Sequence, residues 1–374
     1  MRTPVVFVLF LLVFSCRNEH APISVEELDY VGAWEIPLEL TASPVPQSVQ
    51  MNYETDEFSF FEQSQGTLYV YDFSKKTLKD SVTFSREGPN GTGNYSRMGH
   101  CYLGPDSVFL FNNSTFSLMT YTGDGSLEEE FRLNGFDNSE RAAFPDVRPI
   151  RPLTIIDNKA IIMGMSVGLN PVDNHTQLNQ LRVLDLHTGN ITYTYPRIDK
   201  YNDGYWGNVM RYNSSYTFNP HKKQMICANG LDHDLSIYDL EGKLIDRIDA
   251  KINGFPQDFK PLRKDKDARV SKEEARKYGH TTASYYAVLY DPYKKLIYRF
   301  ATPPQTTEEY VSNSPLRPIV AVYDQEYEKI GEYAFPDKVP LRFNALFVGP
   351  EGIYVNTPQL QEGFMSFYIF KTPV

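Results

Sequence analysis

The sequence has few of the residues and motifs that mark common enzyme classes. Only three cysteines occur in 374 residues, and no pair of them has the close spacing of a zinc site. The H-E-x-x-H pair, the P-loop and the glycine-rich dinucleotide fingerprint are also missing. These absences remove the motif-based case for zinc proteases, nucleotide hydrolases and dehydrogenases. We expect neither a cofactor nor a metal.

Positive charge and long apolar runs are scarce as well. The chain has 37 Lys and Arg against 47 Asp and Glu, a net charge of −10. An acidic protein of this kind is not expected to bind nucleic acid. The longest apolar run, from Val5 to Phe14, is about half of the roughly 20 residues that a membrane-spanning helix needs. A transmembrane anchor is therefore a poor interpretation of the N-terminus.

The N-terminus instead resembles the signal peptide of a bacterial lipoprotein. Arg2 precedes the apolar run, and Val13-Phe14-Ser15 leads into Cys16, the residue that would carry the lipid. This implies a signal peptide at 1–15, a lipidated tether at 16–28 and a cell-envelope location. Arg17, in place of an Asp after the cysteine, favours the outer membrane. An ordinary signal peptide stays open as the alternative, because Phe14 is an unusual lipobox residue.

Aromatic and turn-forming residues are abundant. The chain has 26 Tyr, 24 Phe, 25 Pro and 23 Gly, a mixture that favours β structure. Short alternating apolar runs recur in groups of four, which is typical of a β-propeller. We predict one all-β domain at 29–374, a six-bladed propeller with five complete blades at 49–84, 98–133, 152–198, 216–250 and 283–335. The sixth, at 342–371, lacks one strand, which a strand at 31–40 would supply and so close the ring.

Two local patterns refine this prediction. Four third strands end on an aspartate that is expected to accept hydrogen bonds from the next turn: Asp72, Asp185, Asp239 and Asp324. Ser271 and Glu274 form a capping-box pattern that predicts a short helical insertion near 271–279, ended by Gly279. We expect Cys101 and Cys227 to be buried free thiols, although a disulfide in the oxidising envelope stays open.

The two faces of the predicted propeller differ in the lengths of their loops. Connections between first and second strands, and between third and fourth, are short and form a tight-turn face. The other connections are long and form a long-loop face, where binding residues usually lie. Four arginines there directly precede a channel-lining strand: Arg97, Arg148, Arg211 and Arg342. Arginine suits bidentate recognition of carboxylate, sulfate or phosphate, so an anionic ligand at the channel mouth is our candidate. Local pairing of each arginine with a loop carboxylate is the alternative.

Further residues are candidates for the same mouth. Trp206 would supply a stacking wall, with a place in the loop core as the alternative, and Asn344 is a candidate for the same mouth. Arg151, His100 and Tyr285 are secondary candidates, and His100 is more often a satisfied core histidine. The neighbouring residues Asp232, His233 and Asp234 cannot all point in one direction from an extended chain, so a metal there is not expected.

Two segments carry a resemblance to a known family. They are Arg86-Glu-Gly-Pro-Asn-Gly-Thr-Gly93 and Leu289-Tyr-Asp-Pro-Tyr-Lys-Lys-Leu-Ile-Tyr-Arg-Phe300. With the lipoprotein start, the chain resembles a family of Bacteroidota envelope lipoproteins of unassigned function, related to TolB-like and NHL-like six-bladed propellers. The resemblance implies a fold and a location. It implies no catalytic residues.

Three functions remain open. A binding module for an anionic ligand, a glycan or an envelope protein is the leading hypothesis, and the lipid anchor would make the membrane a further partner. An enzyme acting on glycans or peptides in the same funnel is the second. It would need a carboxylate or tyrosine close to the arginines. A structural component of an outer-membrane complex is the third, and a large exposed apolar patch would favour it.

Overall fold

Six small antiparallel sheets are arranged as the blades of a β-propeller. The computed structural model describes residues 25–39, 42–133, 143–165, 178–207, 214–265, 269–336, 345–357 and 361–373. Cys16 and the signal peptide lie outside the described residues. Within them, no helix combines the length and hydropathy of a membrane span. The all-β, six-bladed prediction is confirmed.

Two strands near the N-terminus join different blades. They are β1 (Glu26–Glu27) and β2 (Asp29–Pro37). Blade one consists of β3 (Val49–Asn52), β4 (Glu57–Glu62), β5 (Thr67–Asp72) and β6 (Thr77–Thr83), and blade two of β7 (Met98–Gly104), β8 (Ser107–Asn112), β9 (Ser117–Tyr121) and β10 (Leu127–Arg132). Blade three contains β11 (Phe144–Pro145), β12 (Thr154–Ile156), β13 (Lys159–Met165), β14 (Asn179–Asp185) and β15 (Ile191–Pro196).

Blades four to six complete the ring. Blade four consists of β16 (Ser214–Asn219), β17 (Gln224–Asn229), β18 (Asp234–Tyr238) and β19 (Leu244–Asp249), and blade five of β20 (Ser284–Asp291), β21 (Leu296–Thr302), β22 (Ile319–Tyr323) and β23 (Lys329–Ala334). Blade six contains β24 (Leu346–Gly349), β25 (Gly352–Asn356) and β26 (Phe364–Lys371). The short β11 adds to the second strand of blade three, and β1 adds in parallel to the outer edge of blade five.

The ring is closed by β2, as the sequence predicts. It pairs antiparallel with β26 and becomes the outer strand of blade six. Its Trp34 ring stacks on Phe73 of blade one at 4.6 Å between centroids, and the Trp34 indole N–H donates to the Phe73 carbonyl at 3.3 Å. The closing strand therefore also ties the last blade to the first.

The domain begins earlier than predicted. Glu26 and Glu27 pair with β23, and Leu28 is 2% exposed within the apolar cluster between blades five and six. Residues 25–28 are thus part of the folded domain and not of a tether. Sequence reasoning missed this because two acidic residues beside a single leucine show no strand pattern.

Helices lie between blades four and five and within blade five. The first, α1 (Lys272–Thr281), begins at Ser271, whose hydroxyl accepts from the Glu274 N–H at 3.1 Å as predicted. It continues past Gly279, so the predicted end is wrong by two residues. The second, α2 (Thr307–Val311), falls in a segment expected to be loop, although Thr306 and Glu309 form a complete capping box that was visible in the sequence.

The turn prediction holds at all four aspartates. Each side chain accepts backbone N–H groups of the following turn, as Asp72 does from Lys75 at 2.8 Å and Asp185 from Thr188 at 2.8 Å. Cys101 and Cys227 are buried free thiols in blades two and four. Burial raises the pKa of the Cys101 thiol to about 12, so it is not a reactive thiolate at neutral pH.

Candidate functional site

The segment between β11 and β12 crosses the start of blade two. Val147 is fixed there by both side-chain groups of Asn113, which accept its N–H at 2.8 Å and donate to its carbonyl at 3.0 Å. Gly99 of β7 makes the approach possible, since a Cβ at this position would lie 2.2 Å from Val147 Cγ1. This contact places the segment beside Arg97, which ends the 3-10 turn Tyr95–Arg97 in front of β7.

A tight turn presents two arginines from this segment. Arg148 and Arg151 exchange two backbone hydrogen bonds, at 3.0 and 2.8 Å, around Pro149 and Ile150. Asp146 precedes the turn by two residues. The local sequence Asp146-Val-Arg-Pro-Ile-Arg151 thereby brings one carboxylate and two guanidinium groups together.

Three arginines converge on the single carboxylate of Asp146. Arg151 donates from Nε and Nη2 to Asp146 Oδ2 at 3.0 and 2.5 Å, and Arg148 Nε lies 3.0 Å from Oδ1 and 2.8 Å from Oδ2. Arg97 Nη2 lies 3.8 Å from Oδ1. We name Asp146, Arg97, Arg148 and Arg151 the mouth cluster. Three positive charges against one negative leave it with an excess of two.

Burial divides the members of the mouth cluster into two kinds. The side chains of Asp146 and Arg151 are 3% and 2% exposed, whereas those of Arg97 and Arg148 are 51% and 42% exposed. Arg151 also donates to the Ser214 carbonyl at 3.0 Å, so it is a wall residue. Burial lowers its pKa, and Asp146 opposes that shift. Arg97 and Arg148 are the members that solvent, or a ligand, can reach.

A tyrosine borders the mouth cluster. Tyr286 of β20 is half-buried, and burial raises its pKa to about 12 against the opposite effect of the Arg151 and Arg148 charges. At neutral pH it is a hydroxyl and not a tyrosinate. Asp146 is occupied by the three arginines. The two groups that the enzyme hypothesis would use are thus a protonated phenol and an engaged carboxylate.

The other sequence candidates have separate positions. Arg211, Arg342 and Asn344 lie outside the described residues. Trp206 is fully buried in the apolar cluster between blades four and five, the loop-core alternative that the sequence left open. Among the parts of the chain that are described, the mouth therefore brings together Arg97 and Arg148 of the predicted set.

Two secondary candidates are buried side chains that have partners within the fold. His100 is 3% exposed, and its ring nitrogens lie 2.7 Å from Ser48 Oγ and 2.9 Å from Ser59 Oγ. Burial lowers its pKa to about 3, so it stays neutral. The Tyr285 hydroxyl lies 2.7 Å from His233 Nδ1, and His233 Nε2 lies 3.0 Å from the Pro256 carbonyl.

A G-x-S-x-G pattern occurs once, at 164–168. In hydrolases this pattern marks a serine on a sharp turn from a strand into a helix. Here it begins at Gly164 near the end of β13, a propeller strand, and Ser166 lies outside the described residues.

Asp146 is the member of the mouth cluster that sequence reasoning missed. Arg97 and Arg148 are predicted because each directly precedes a channel-lining strand, and this repeat position gives no information about a carboxylate partner. The sequence does contain a signal for this partner, because Asp146 stands two residues before Arg148 and five before Arg151.

The central channel contains a cavity of about 600 Å³. Its lining comes from the first strands of all six blades and from tight turns such as 53–55 and 157–158. Arg148 lines the same cavity. The cavity therefore joins the mouth cluster to the tight-turn half of the channel, whereas the sequence pointed to the long-loop face alone.

Comparison with known structures supports the architecture. A member of the DUF4221 family from Bacteroides vulgatus is similar over 93% of this chain and 99% of its own, with 18% identity and a TM-score of 0.68. A gluconolactonase from Xanthomonas campestris (8% identity, 93% and 95% of the two chains, TM-score 0.46) and virginiamycin B lyase from Staphylococcus aureus (8%, 90% and 98%, 0.46) are more distant. Neither of these two likenesses bears on the function of this chain.

Family membership follows from the sequence itself. No curated protein matches the chain. Residues 41–334, which span blades one to five, match one family along their whole length. The chain therefore belongs to the family described as "Domain of unknown function (DUF4221)".

Proposed function

We propose that this protein is an envelope lipoprotein, anchored in the outer membrane through Cys16, that binds an anionic ligand at the long-loop mouth of its propeller. The observation that carries the binding proposal is the excess of two positive charges in the mouth cluster of an acidic chain. The buried Asp146–Arg151 pair holds the cluster in place, and the accessible guanidinium groups of Arg97 and Arg148 bind the anion.

The proposal extends to three residues outside the described part of the chain. Arg211 and Arg342 occupy the equivalent repeat position in front of a channel strand, and Asn344 follows two residues after Arg342. Because a repeat brings equivalent positions close to one axis, we propose that these side chains add to the same anion site. The ligand is a carboxylate, sulfate or phosphate, free or carried on a glycan or another envelope molecule.

Calorimetric titration of the purified protein tests anion binding. Sulfate, inorganic phosphate and citrate at low ionic strength are the probes, and the Arg97→Gln/Arg148→Gln double variant is the test. Charge-assisted hydrogen bonds contribute about 1.5–3 kcal/mol each, so we expect affinity to fall by tenfold or more while the fold stays intact.

The matched control is Arg132→Gln, which removes an arginine that is 80% exposed and paired locally with Glu130 on an outer strand. We expect it to bind like the wild type. Equal affinity of the double variant and the control, or no binding of any of the anions to the wild type, contradicts the proposal.

The anchor is tested separately. A cell-envelope fraction from a bacterium expressing the full chain should contain protein labelled by an alkyne-tagged fatty acid, and Cys16→Ser should lose both the label and the outer-membrane fractionation. Label retained by Cys16→Ser would contradict lipidation at this residue.

A further inference from the structure

The channel cavity differs from the mouth in its chemistry. Its volume of about 600 Å³ is within the ~300–1,000 Å³ that is typical of small-molecule sites. Part of its wall is apolar, with side chains from four of the blades. Those that define it are Val49, Met51, Val147, Leu153, Leu289 and Leu346.

Two polar side chains of this wall already have partners. His100 is bonded to Ser48 and Ser59 through both ring nitrogens. Gln50 accepts the Tyr102 N–H at 2.6 Å, and its amide lies 3.5 Å from Cys101 Sγ. A ligand against the apolar part of the wall therefore meets methyl and methylene groups of its apolar side chains. Burial of apolar surface is the interaction that this region offers.

Charge is distributed unequally between the two ends of the cavity. Arg148, a member of the mouth cluster with its excess of two positive charges, lines one end. Glu54 and Asp157 lie at the tight-turn end, where Lys223 lies 2.5 Å from Asp157 and neutralises it. An anionic group is thus attracted to the first end, and Glu54 disfavours it at the second.

We propose that the cavity binds an amphipathic anion, a carboxylate, sulfate or phosphate head on an apolar body. The head lies against Arg148 and Arg97, and the body extends into the apolar part of the channel. This inference rests on the proposed function, because the head uses the same arginines. It adds a body to the ligand and an orientation along the propeller axis.

A homologous series of ligands tests the apolar part. The probes are acetate, butyrate, hexanoate, octanoate and decanoate, titrated into the purified protein below their micellar concentrations. If methylene groups enter the cavity, affinity rises about fourfold per added carbon, the factor that corresponds to about 0.8 kcal/mol. The rise should stop once the chain fills the channel.

Variants that fill the cavity separate this inference from the proposed function. Met51→Trp and Ile156→Trp place an indole in the cavity at two half-buried positions of its lining, so that one remains informative if the other fails to fold. We expect both to keep acetate and sulfate binding and to lose the dependence on chain length. Leu78→Trp, on the exposed outer strand β6, is the matched control and should keep that dependence.

Three results overturn the inference or what it rests on. Equal affinity along the series in the wild type overturns the apolar body but leaves the anion site. A chain-length dependence that persists in both folded filling variants places the apolar contact outside the cavity, and this too overturns the inference. Absence of binding by every anion overturns the proposed function, and the inference with it.

Discussion

Two regions of the propeller that contain arginines balance their charge differently. In the mouth cluster, Arg97, Arg148 and Arg151 share one carboxylate, and two of the three guanidinium groups are accessible. In the wall between blades four and five, Arg299 is fully buried and lies over the Tyr285 ring, 3.5 Å from its centroid. Its guanidinium donates to three backbone carbonyls, among them Ala250 at 3.0 Å.

In the wall region, the charged group of Arg299 is satisfied by neighbouring groups of the protein. Among the described residues, no carboxylate lies within ion-pair distance of Arg299, and backbone carbonyls together with an aromatic face take the place of a counterion. In blade two, outside the wall region, buried His100 likewise has a partner for each ring nitrogen. The mouth cluster instead keeps a surplus of charge that faces solvent. We infer that the wall region serves the fold and that the mouth cluster is available to a ligand.

The largest expected effect is at the centre of the mouth cluster. Asp146→Asn preserves the shape of the side chain but leaves three guanidinium groups, one of them buried, without a counterion. We expect the free energy of unfolding, measured in urea, to fall by about 3–5 kcal/mol. Added sulfate should restore more stability to this variant than to the wild type, because the anion replaces the lost charge.

Asp157→Asn is the control for that experiment. It removes a half-exposed carboxylate that pairs with Lys223 at the surface, and such pairs contribute about 0–1 kcal/mol. If both variants lose the same stability, the mouth cluster is no more than a set of surface ion pairs.

Arg299→Met tests the wall region and should have a smaller effect. Methionine keeps an apolar chain in the core and removes the charge, so no uncompensated ion remains. Because buried backbone carbonyls lose their hydrogen-bond donor, we expect the free energy of unfolding to fall by about 1–3 kcal/mol.

Added sulfate should not rescue Arg299→Met selectively, in contrast to Asp146→Asn. Arg132→Met on the surface of blade two should change stability by less than about 0.5 kcal/mol. Selective rescue of Arg299→Met by sulfate would show that the wall also holds an accessible anion site, and the two regions would then not differ as described.

A third prediction concerns His100 and pH, where the effect is at most about 1.4 kcal/mol for each pH unit. The folded protein keeps the ring neutral down to its pKa of about 3, whereas the unfolded chain takes up a proton near pH 6.5. Protons therefore stabilise the unfolded state. His100 should contribute its full stability above pH 6.5 and lose it progressively between 6.5 and 3, by up to about 1.4 kcal/mol per pH unit.

Unfolding curves of the wild type and His100→Gln at several pH values check this. Their difference in stability should narrow as the pH falls through that window. A constant difference between wild type and His100→Gln would show that the histidine titrates in the folded protein near its ordinary pKa.

Much of the architecture was predictable because strand and turn chemistry is local. Alternating runs and the aspartate turns fixed the blades to within a few residues, and the unpaired strand at each end of the chain indicated closure. The sequence signal for helix α2, the capping box of Thr306 and Glu309, is equally local, and the helix was predictable from it.

The site was less predictable because its properties depend on contacts between distant segments. The position of Arg97 was clear from the repeat, but its approach to Asp146 depends on Gly99 and Asn113, which hold the 146–151 segment in place. Burial separates Arg151 from Arg148, three residues apart in one turn, and no sequence pattern distinguishes them. The cavity depends on all six inner strands at once.

The closing strand has a consequence for the order in which the protein is made. β2 leaves the ribosome among the first residues of the domain, yet its partner β26 is synthesised more than 300 residues later, as the contact of Glu35 with Ser366 at 2.8 Å illustrates. Until then the strand has an unpaired edge, a state in which chains associate wrongly. Ring closure thus requires synthesis of the last blade. In a chain truncated before residue 364, β2 has no β26 to pair with and keeps an unpaired edge that can associate with other chains.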